Sequence, residues 1–149
     1  MFSRLFSLVL VVGLTFVCVV PRLVGQTVTG DILYLTLKVN GAAGSEYDPG
    51  DTLRVEFDAE GSNDSGQAVY FKMTVKVTEA SPPFTEQASF THSALVQDGN
   101  DYSMEAAYLS WTSLDQADGY NVQATLITYV DPKFPSPLDA LTDSFTENE

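Results

Sequence analysis

The stretch Thr52-Leu-Arg-Val-Glu-Phe-Asp-Ala59 alternates apolar and polar side chains at every position. Leu53, Val55 and Phe57 fall on one side of an extended chain together with Ala59, and the polar residues fall on the other side. A period of two is typical of a β-strand with one buried face and one face in water. The segment therefore predicts an antiparallel strand, and it is the clearest of several such segments.

The same period recurs on both sides of this stretch. Further strands are predicted over residues 31–40, 69–77, 89–96, 102–112, 120–130 and 138–145, and the polar stretch 61–66 is predicted as a loop. In the first of these, Leu33 and Leu35 are expected to face inward and Ile32 outward. In the strand over 102–112, two apolar sets that include Met104 and Leu109 compete for the inner face, and a β-bulge between them would reconcile both. About seven strands separated by turns predict an all-β fold, an antiparallel sandwich of two sheets.

The segment Leu114-Asp-Gln-Ala-Asp-Gly-Tyr120-Asn-Val122 has Leu six residues before Tyr and Val two residues after it. This spacing resembles the tyrosine corner of fibronectin type III and related immunoglobulin-like domains. The resemblance implies that the Tyr120 hydroxyl bonds to backbone near Leu114 and fixes the crossover into the penultimate strand. A second register would assign Leu109-Ser-Trp111 and Tyr120 to the second and third strands, but it needs more strands than the 29 residues after Tyr120 can supply.

The amino terminus has the three parts of a secretory signal peptide. Met1-Phe-Ser-Arg4 is basic, residues 5–20 are almost entirely apolar, and small Gly25 lies where a peptidase could cut. An apolar run of this length is shorter than the roughly 20 residues that span a bilayer. The sequence therefore predicts a secreted protein with no stable membrane insertion after cleavage. Its expected parts are a signal peptide at 1–25, a sandwich domain at 26–146 and a frayed end at 147–149.

The composition limits the possible partners. The chain has 149 residues and a net charge of −13, and removal of residues 1–25 leaves five basic residues against 20 acidic ones, a charge of −15. Such a chain repels phosphate backbones, so no nucleic-acid partner is expected. The single cysteine, Cys18, lies in the apolar run. The domain is therefore expected to be free of disulfides, although an extracellular compartment would permit them.

Acidic loops at one end of the predicted sandwich suggest a calcium site. Calcium takes six to eight oxygen ligands, which carboxylates and amides on neighbouring loops can supply. The candidate ligands are Asp64, Asp98, Asn100, Asp101 and Asp131. The same residue types are also ordinary in tight turns. No other cofactor is expected.

Three further features bear on binding and chemistry. Asn63-Asp64-Ser65 is a glycosylation sequon, so Asn63 is the expected glycan acceptor if the source is eukaryotic. Tyr34 and Tyr70 are expected to project outward, where they could stack on sugars or anchor a protein partner. His92 is the only histidine, and it lies in an alternating strand with no catalytic motif around it.

These patterns favour a non-catalytic function. The expected protein is a secreted binding or adhesion module of immunoglobulin-like fold, with an extracellular protein or a glycan as partner. An acidic calcium-binding matrix protein is one alternative, and a secreted hydrolase or enzyme inhibitor is another. The sequence leaves the oligomeric state open, although an open sandwich has edge strands that can pair.

Overall fold

The computed structural model describes residues 27–115, 117–129 and 135–148, and these residues form nine strands and no helix. The strands are β1 (Val28–Val39), β2 (Ala42–Ala43), β3 (Glu46–Tyr47), β4 (Thr52–Asn63), β5 (Val69–Glu79), β6 (Glu86–Val96), β7 (Asn100–Thr112), β8 (Gly119–Tyr129) and β9 (Ser136–Glu147). The described ranges therefore offer no helix that could cross a membrane. The predicted signal peptide lies outside them.

The strands form two sheets that pack face to face. The first has four strands in the order β2-β1-β4-β7, and the second has five in the order β3-β9-β8-β5-β6. Every pairing is antiparallel except the short parallel contact between β3 and β9. The predicted all-β sandwich is thus confirmed. Trp111 lies on β7 and Tyr120 on β8, and one long strand follows β8, which is the order that the tyrosine-corner register requires.

The core lies between the two inner faces. Its largest fully buried side chains are Tyr47, Tyr120, Phe57, Phe71, Phe145, Leu53, Met73, Leu126, Val55, Val75, Val77 and Val122. Most come from β4, β5 and β8, which occupy interior positions in their sheets and bury every second residue over most of their length. Burial of these side chains supplies most of the stabilisation, since each contributes about 1.5–3 kcal/mol relative to an exposed position.

The side chains at the start of β1 point in other directions than the sequence predicts. Leu33 is 52% exposed, whereas Ile32 is buried and belongs to the core. The pairing of β1 with β4 shifts register between Ile32 and Tyr34, so the chain bulges at Leu33 and turns that side chain outward. Leu35 and Leu37 regain the inner face after the bulge. The expectation that Leu33 faces inward and Ile32 outward was therefore wrong.

The bulge expected in β7 is present. Phe57 of β4 lies opposite Ala107, but Ala59 lies opposite Met104, so β7 has one extra residue over this interval. Ala106 takes a φ of 53° there. Met104 faces inward before the bulge, and Ala107 and Leu109 pack on the core after it. Met104 of one predicted set and Leu109 and Trp111 of the other therefore face the core, whereas Tyr108 of the first set is turned outward.

Two segments are more regular than the sequence suggested. Residues 61–63, predicted as loop, continue β4, and Gly61 is required there because a Cβ would lie 2.5 Å from the Phe71 ring and 2.6 Å from the Thr29 carbonyl oxygen. At the carboxyl end, Glu147 pairs with Tyr47 of β3, and the Asn148 backbone N–H donates to the Tyr47 carbonyl oxygen. Glu147 and Asn148 thus both contact β3, and the frayed end at 147–149 stays a prediction.

Candidate functional site

The turn between β7 and β8 is held by two buried tyrosines. The Tyr120 hydroxyl accepts a hydrogen bond from the Leu114 backbone N–H at 2.8 Å, and the Tyr47 hydroxyl donates to the Ala117 carbonyl oxygen at 2.7 Å. The two rings lie 5.5 Å apart. Burial raises the pKa of both hydroxyls. The Leu114 side chain itself is 45% exposed, so this residue contributes its backbone to the corner.

The opposite end of the sandwich is organised by Asn63, which is fully buried. Its Nδ2 donates to the carbonyl oxygens of Gln67 and Val96 at 2.8 and 2.9 Å, and its Oδ1 accepts from the Ser65 backbone N–H and hydroxyl. Both amide hydrogens are therefore used. A glycan on Nδ2 would replace one of these hydrogens and would need space that a fully buried side chain lacks. The Asn63 amide is thus fully used in the folded structure, and Asn63 as the glycan acceptor of a eukaryotic source stays a prediction.

Four of the five predicted calcium ligands, Asp64, Asp98, Asn100 and Asp101, lie at this same end of the sandwich. The Asp98 Oδ1 accepts from the Gly66 backbone N–H at 2.7 Å, which ties together the β6–β7 and β4–β5 turns. Among the residues that the structure describes, no group of three or more carboxylate, histidine or cysteine side chains is arranged to hold a metal ion. Asp131 lies outside those residues. Asp64, Asn100 and Asp101 are exposed in or beside the turns.

The outer face of the five-stranded sheet carries an aromatic strip. Tyr70 of β5 lies between Leu95 of β6 and Tyr129 of β8 in one row across the sheet. The two tyrosine rings are stacked with centroids 5.2 Å apart and an interplanar angle of 14°. Tyr70 is 40% exposed and Leu95 49% exposed, so apolar surface remains open to solvent. The expectation that Tyr70 projects outward is confirmed.

The same face has a polar groove at its other end. The groove has a volume of about 590 Å³, and its polar lining residues are Lys76, Thr78, Asn121, Gln123, Thr142, Asp143 and Ser144. They come from three neighbouring strands, β5, β8 and β9. The eight steps along β5 from Tyr70 to Thr78 span about 26 Å at roughly 3.3 Å per residue. Aromatic strip and polar groove therefore occupy the two ends of one extended surface.

The groove side chains are not bonded to one another. Within the described part of the chain, the side chains of Thr78, Asn121, Gln123, Thr142 and Ser144 make no hydrogen bond to another protein group. Among the described residues, these amides and hydroxyls therefore have no protein partner that a ligand would have to displace. The groove could not be predicted from the sequence because three of its eight lining residues come from β9, whose registration against β8 cannot be read from one strand. The alternation of Asn121 and Gln123 with buried neighbours was the available signal.

The outer face of the four-stranded sheet is different because its polar groups are paired. The Tyr34 hydroxyl donates to Asp58 Oδ1, which raises the pKa of Tyr34, and the Ala106 backbone N–H donates to the same oxygen. The Lys38 ammonium lies 2.8 Å from a Glu56 carboxylate oxygen and holds the pKa of that carboxyl below its usual value. Arg54 also contacts Glu56, and its guanidinium lies 3.9 Å from the Tyr108 ring centroid.

His92 does not form part of either surface. Its side chain is exposed at the edge of the sandwich, and its ring lies 6.3 Å from the Tyr102 ring. The polar groove is lined by other residues. No hydrogen bond joins His92 to a hydroxyl or carboxyl group within the described ranges, so the geometry of a Ser-His-Asp site is not met by those residues.

Comparisons with known proteins place the chain by its fold alone. No protein-family model matches it, and no curated protein matches it in sequence. Among solved structures, the C-terminal domain of Wzt is 8% identical, with 84% of this chain and 76% of that one covered and a TM-score of 0.51. A β-glucuronidase of Bacteroides uniformis is 15% identical over 75% of this chain, with a TM-score of 0.46. This chain spans only 13% of the length of that enzyme.

Proposed function

We propose that this chain is a secreted, non-catalytic binding module that takes an uncharged glycan on the outer face of its five-stranded sheet. The observation behind this proposal is that one sheet face carries a groove lined by amide and hydroxyl side chains at one end and the stacked, partly exposed pair of Tyr70 and Tyr129 at the other. A sugar ring presents hydroxyl groups at its edge and C–H groups on its faces. Its recognition therefore needs hydrogen-bonding groups and an exposed apolar surface together, and this face offers both.

The contrast between the two outer faces supports the choice of surface. On the four-stranded sheet, Asp58 and Glu56 already accept hydrogen bonds from neighbouring side chains, so a ligand there would have to break existing interactions. On the five-stranded sheet the amide and hydroxyl side chains of the groove have no hydrogen-bond partner among the described residues, although Lys76 lies 3.9 Å from Glu86. A ligand that displaces only water from these groups gains more net free energy than one that must replace an intramolecular bond.

The charges of the face favour a neutral ligand. Lys76 and Asp143 are the charged residues that line the groove, and they are opposite in sign. The chain as a whole has a net charge of −13, which disfavours approach of polyanions such as nucleic acids or acidic polysaccharides. An uncharged glycan avoids this repulsion and still satisfies the amides and hydroxyls.

Secretion is the part of the proposal that rests on the amino-terminal sequence. The basic start at Arg4, the apolar run and the small Gly25 are the pattern of a secretory signal peptide. Extracellular glycans would then be accessible to the domain. Mass determination of the protein recovered outside the expressing cell tests this part, and a retained Met1 on that protein would contradict it.

Affinity electrophoresis tests the binding surface. The purified protein is run through native gels that contain a neutral polysaccharide, with mannan, xylan and β-glucan each used as a probe. We expect retardation by at least one polysaccharide, and we expect Tyr70→Ala or Gln123→Ala to reduce it at least tenfold in apparent affinity. Tyr108→Ala is the matched control, because it removes an exposed tyrosine from the other outer face, 54% exposed against 40% for Tyr70. Absence of retardation by all three, or equal loss with Tyr108→Ala, would overturn the proposal.

A further inference from the structure

The strand β6 forms an edge of the five-stranded sheet, and among the described residues only β5 pairs with it. From Ala88 to Val96 its pairing with β5 is continuous, without a bulge. The segment Ala88-Ser-Phe-Thr-His-Ser-Ala-Leu-Val96 contains no acidic residue, no lysine or arginine and no proline. Its free backbone N–H and C=O groups therefore form a regular template for another strand.

The other edge strands have features that prevent pairing with a further strand, and β6 lacks these features. β7 carries Asp101 and Glu105 and is interrupted by its bulge. β1 is interrupted by a bulge at Leu33, and its end at Val39 is covered by β2. β9 contains Pro137 and is partly covered by β3. Charges, bulges, proline and cover are the usual means by which proteins prevent edge pairing, so the regular, uncharged β6 edge is the exception in this molecule.

We infer that β6 pairs antiparallel with β6 of a second copy of this chain, which makes the protein a two-fold symmetric dimer. The uncharged segment is centred on His92. When the segments of two copies overlap fully, His92 of one copy lies opposite His92 of the other. Ala88 then lies opposite Val96 and Phe90 opposite Ala94, all on the inner face. On the outer face Ser89 meets Leu95 and Thr91 meets Ser93. Apolar residues meet small or apolar ones throughout, and no like charges are brought together.

Net charge favours a second copy at this edge over any other edge. Two chains of charge −13 repel each other, so self-association is least opposed where the surface carries no charge. A two-fold symmetric contact contains the same segment from both copies. One acidic residue in that segment would therefore place two negative charges in the contact. The stretch from Gln87 to Gln97 satisfies this condition, whereas β7 self-pairing would bring Asp101 and Glu105 into the contact.

The dimer would join two five-stranded sheets into one continuous sheet of ten strands. The outer faces of both copies would then form a single surface, with the two aromatic strips related by the two-fold axis. A ligand long enough to contact both copies would bind with a higher effective concentration at the second copy.

Sedimentation velocity over a wide concentration range tests the inference on the purified protein. We expect a concentration-dependent species of twice the monomer mass, and we expect Thr91→Lys to abolish it. Thr112→Lys is the matched control: both threonines are exposed on edge strands, and each lies opposite another threonine, Thr74 or Thr52. A monomer at all concentrations, or a dimer lost with Thr112→Lys and retained with Thr91→Lys, would overturn the inference.

A cross-linking variant keeps the inference testable if the lysine variant fails to fold. Directly opposed residues of antiparallel strands have Cα atoms about 4.5–5.5 Å apart, within disulfide range. Under mild oxidation His92→Cys is expected to give a covalent dimer linked through the introduced cysteine, whereas Ser103→Cys on the edge strand β7 is not. Equal cross-linking of both variants, or none with His92→Cys, would contradict a β6 interface.

Discussion

The Tyr102 side chain is the clearest case in which one residue carries an unfavourable group into the core. It is 3% exposed, and its ring stacks on Phe71 with centroids 4.9 Å apart. Its hydroxyl has no hydrogen-bond partner among the described residues. A buried hydroxyl without a partner costs about 1–3 kcal/mol of desolvation. Burial also raises the pKa of this hydroxyl to about 12, from 10.0.

We therefore expect Tyr102→Phe to leave the stability unchanged or to raise it by up to about 1 kcal/mol at neutral pH, because the substitution keeps the stacked ring and removes an unsatisfied group. Urea denaturation provides the measurement. The control is Tyr120→Phe, which removes a hydroxyl that accepts from the Leu114 backbone N–H and should destabilise by about 1–3 kcal/mol. Similar losses for both variants would mean that the Tyr102 hydroxyl has a favourable role in the fold.

The raised pKa of Tyr102 also makes the stability depend on alkaline pH. The unfolded side chain loses its proton near pH 10, whereas the folded one keeps it to about 12. The folded state thus binds more protons in this interval, and its stabilisation, complete below pH 10, is lost as the pH rises through 12. Tyr102→Phe should flatten this decline, while Tyr70→Phe, on an exposed ring, should leave it unchanged. Equal slopes for Tyr102→Phe and the unsubstituted protein would contradict the assignment.

At the scale of the element, the bulges in β1 and β7 face the same residue of β4 from opposite sides. Asp58 Oδ1 accepts from the Tyr34 hydroxyl beside the first bulge and from the Ala106 backbone N–H within the second. The Asp58 carboxylate therefore accepts a hydrogen bond at each of the two bulges. The bulge in β7 places Ala106 at a φ of 53°, a conformation that side chains with a Cβ adopt at a cost of about 1–2 kcal/mol.

Ala106→Gly is expected to stabilise the protein by about 0.5–1 kcal/mol, because glycine adopts positive φ without the Cβ penalty. Ala107→Gly, one residue further along β7, is the matched control. That position has ordinary extended backbone and packs on the core, so glycine should destabilise it by about 0.5–1 kcal/mol or more. Thermal denaturation of the two variants compares the signs directly. Destabilisation by both substitutions would show that the bulge conformation imposes no penalty on alanine.

The elements also explain how far the sequence could predict the structure. Alternation located β4, β5 and β8 well, because strands in the interior of a sheet bury every second residue without interruption. It assigned Leu33 to the wrong face because a bulge depends on pairing with the partner strand. It predicted the loop at 61–66 from polar composition, although Gly61 stays in β4 through close contact with Phe71. The polarity of the side chains reveals neither the bulge at Leu33 nor the close approach of Gly61 to Phe71.

The candidate site was predictable in part for the same reason. Tyr70 follows directly from alternation within β5, and its outward position could be predicted from that strand alone. The groove depends on three strands whose order is set by the fold, and Thr142 becomes part of it only through pairing with Gln123. Asn63 matched a glycosylation sequon, but its burial could not be read from that motif. It arises where the end of β4 meets the backbone at Gln67 and at Val96.

The whole molecule is dominated by its negative charge. The chain has 20 acidic and seven basic residues. Among the described residues, three of the basic ones are paired: Lys38 and Arg54 contact Glu56, and Lys76 lies 3.9 Å from Glu86. Most carboxylates therefore have no cation beside them. Their mutual repulsion is reduced in the expanded unfolded chain, so the excess charge opposes folding.

We expect the melting temperature to rise with NaCl, because salt screens this repulsion over a Debye length of about 10 Å near 0.1 M. CaCl₂ at matched ionic strength should give the same rise, because Asp98 is already bonded to Gly66 and no cluster of three ligands exists among the described residues. Differential scanning calorimetry compares the two salts, with magnesium chloride as the control for divalent charge. An additional rise with calcium alone, reversed by a chelator and lost in Asp98→Asn, would contradict this expectation and would establish the calcium site that the acidic loops suggest. A melting temperature insensitive to NaCl would instead mean that the unpaired carboxylates are too far apart to repel one another measurably.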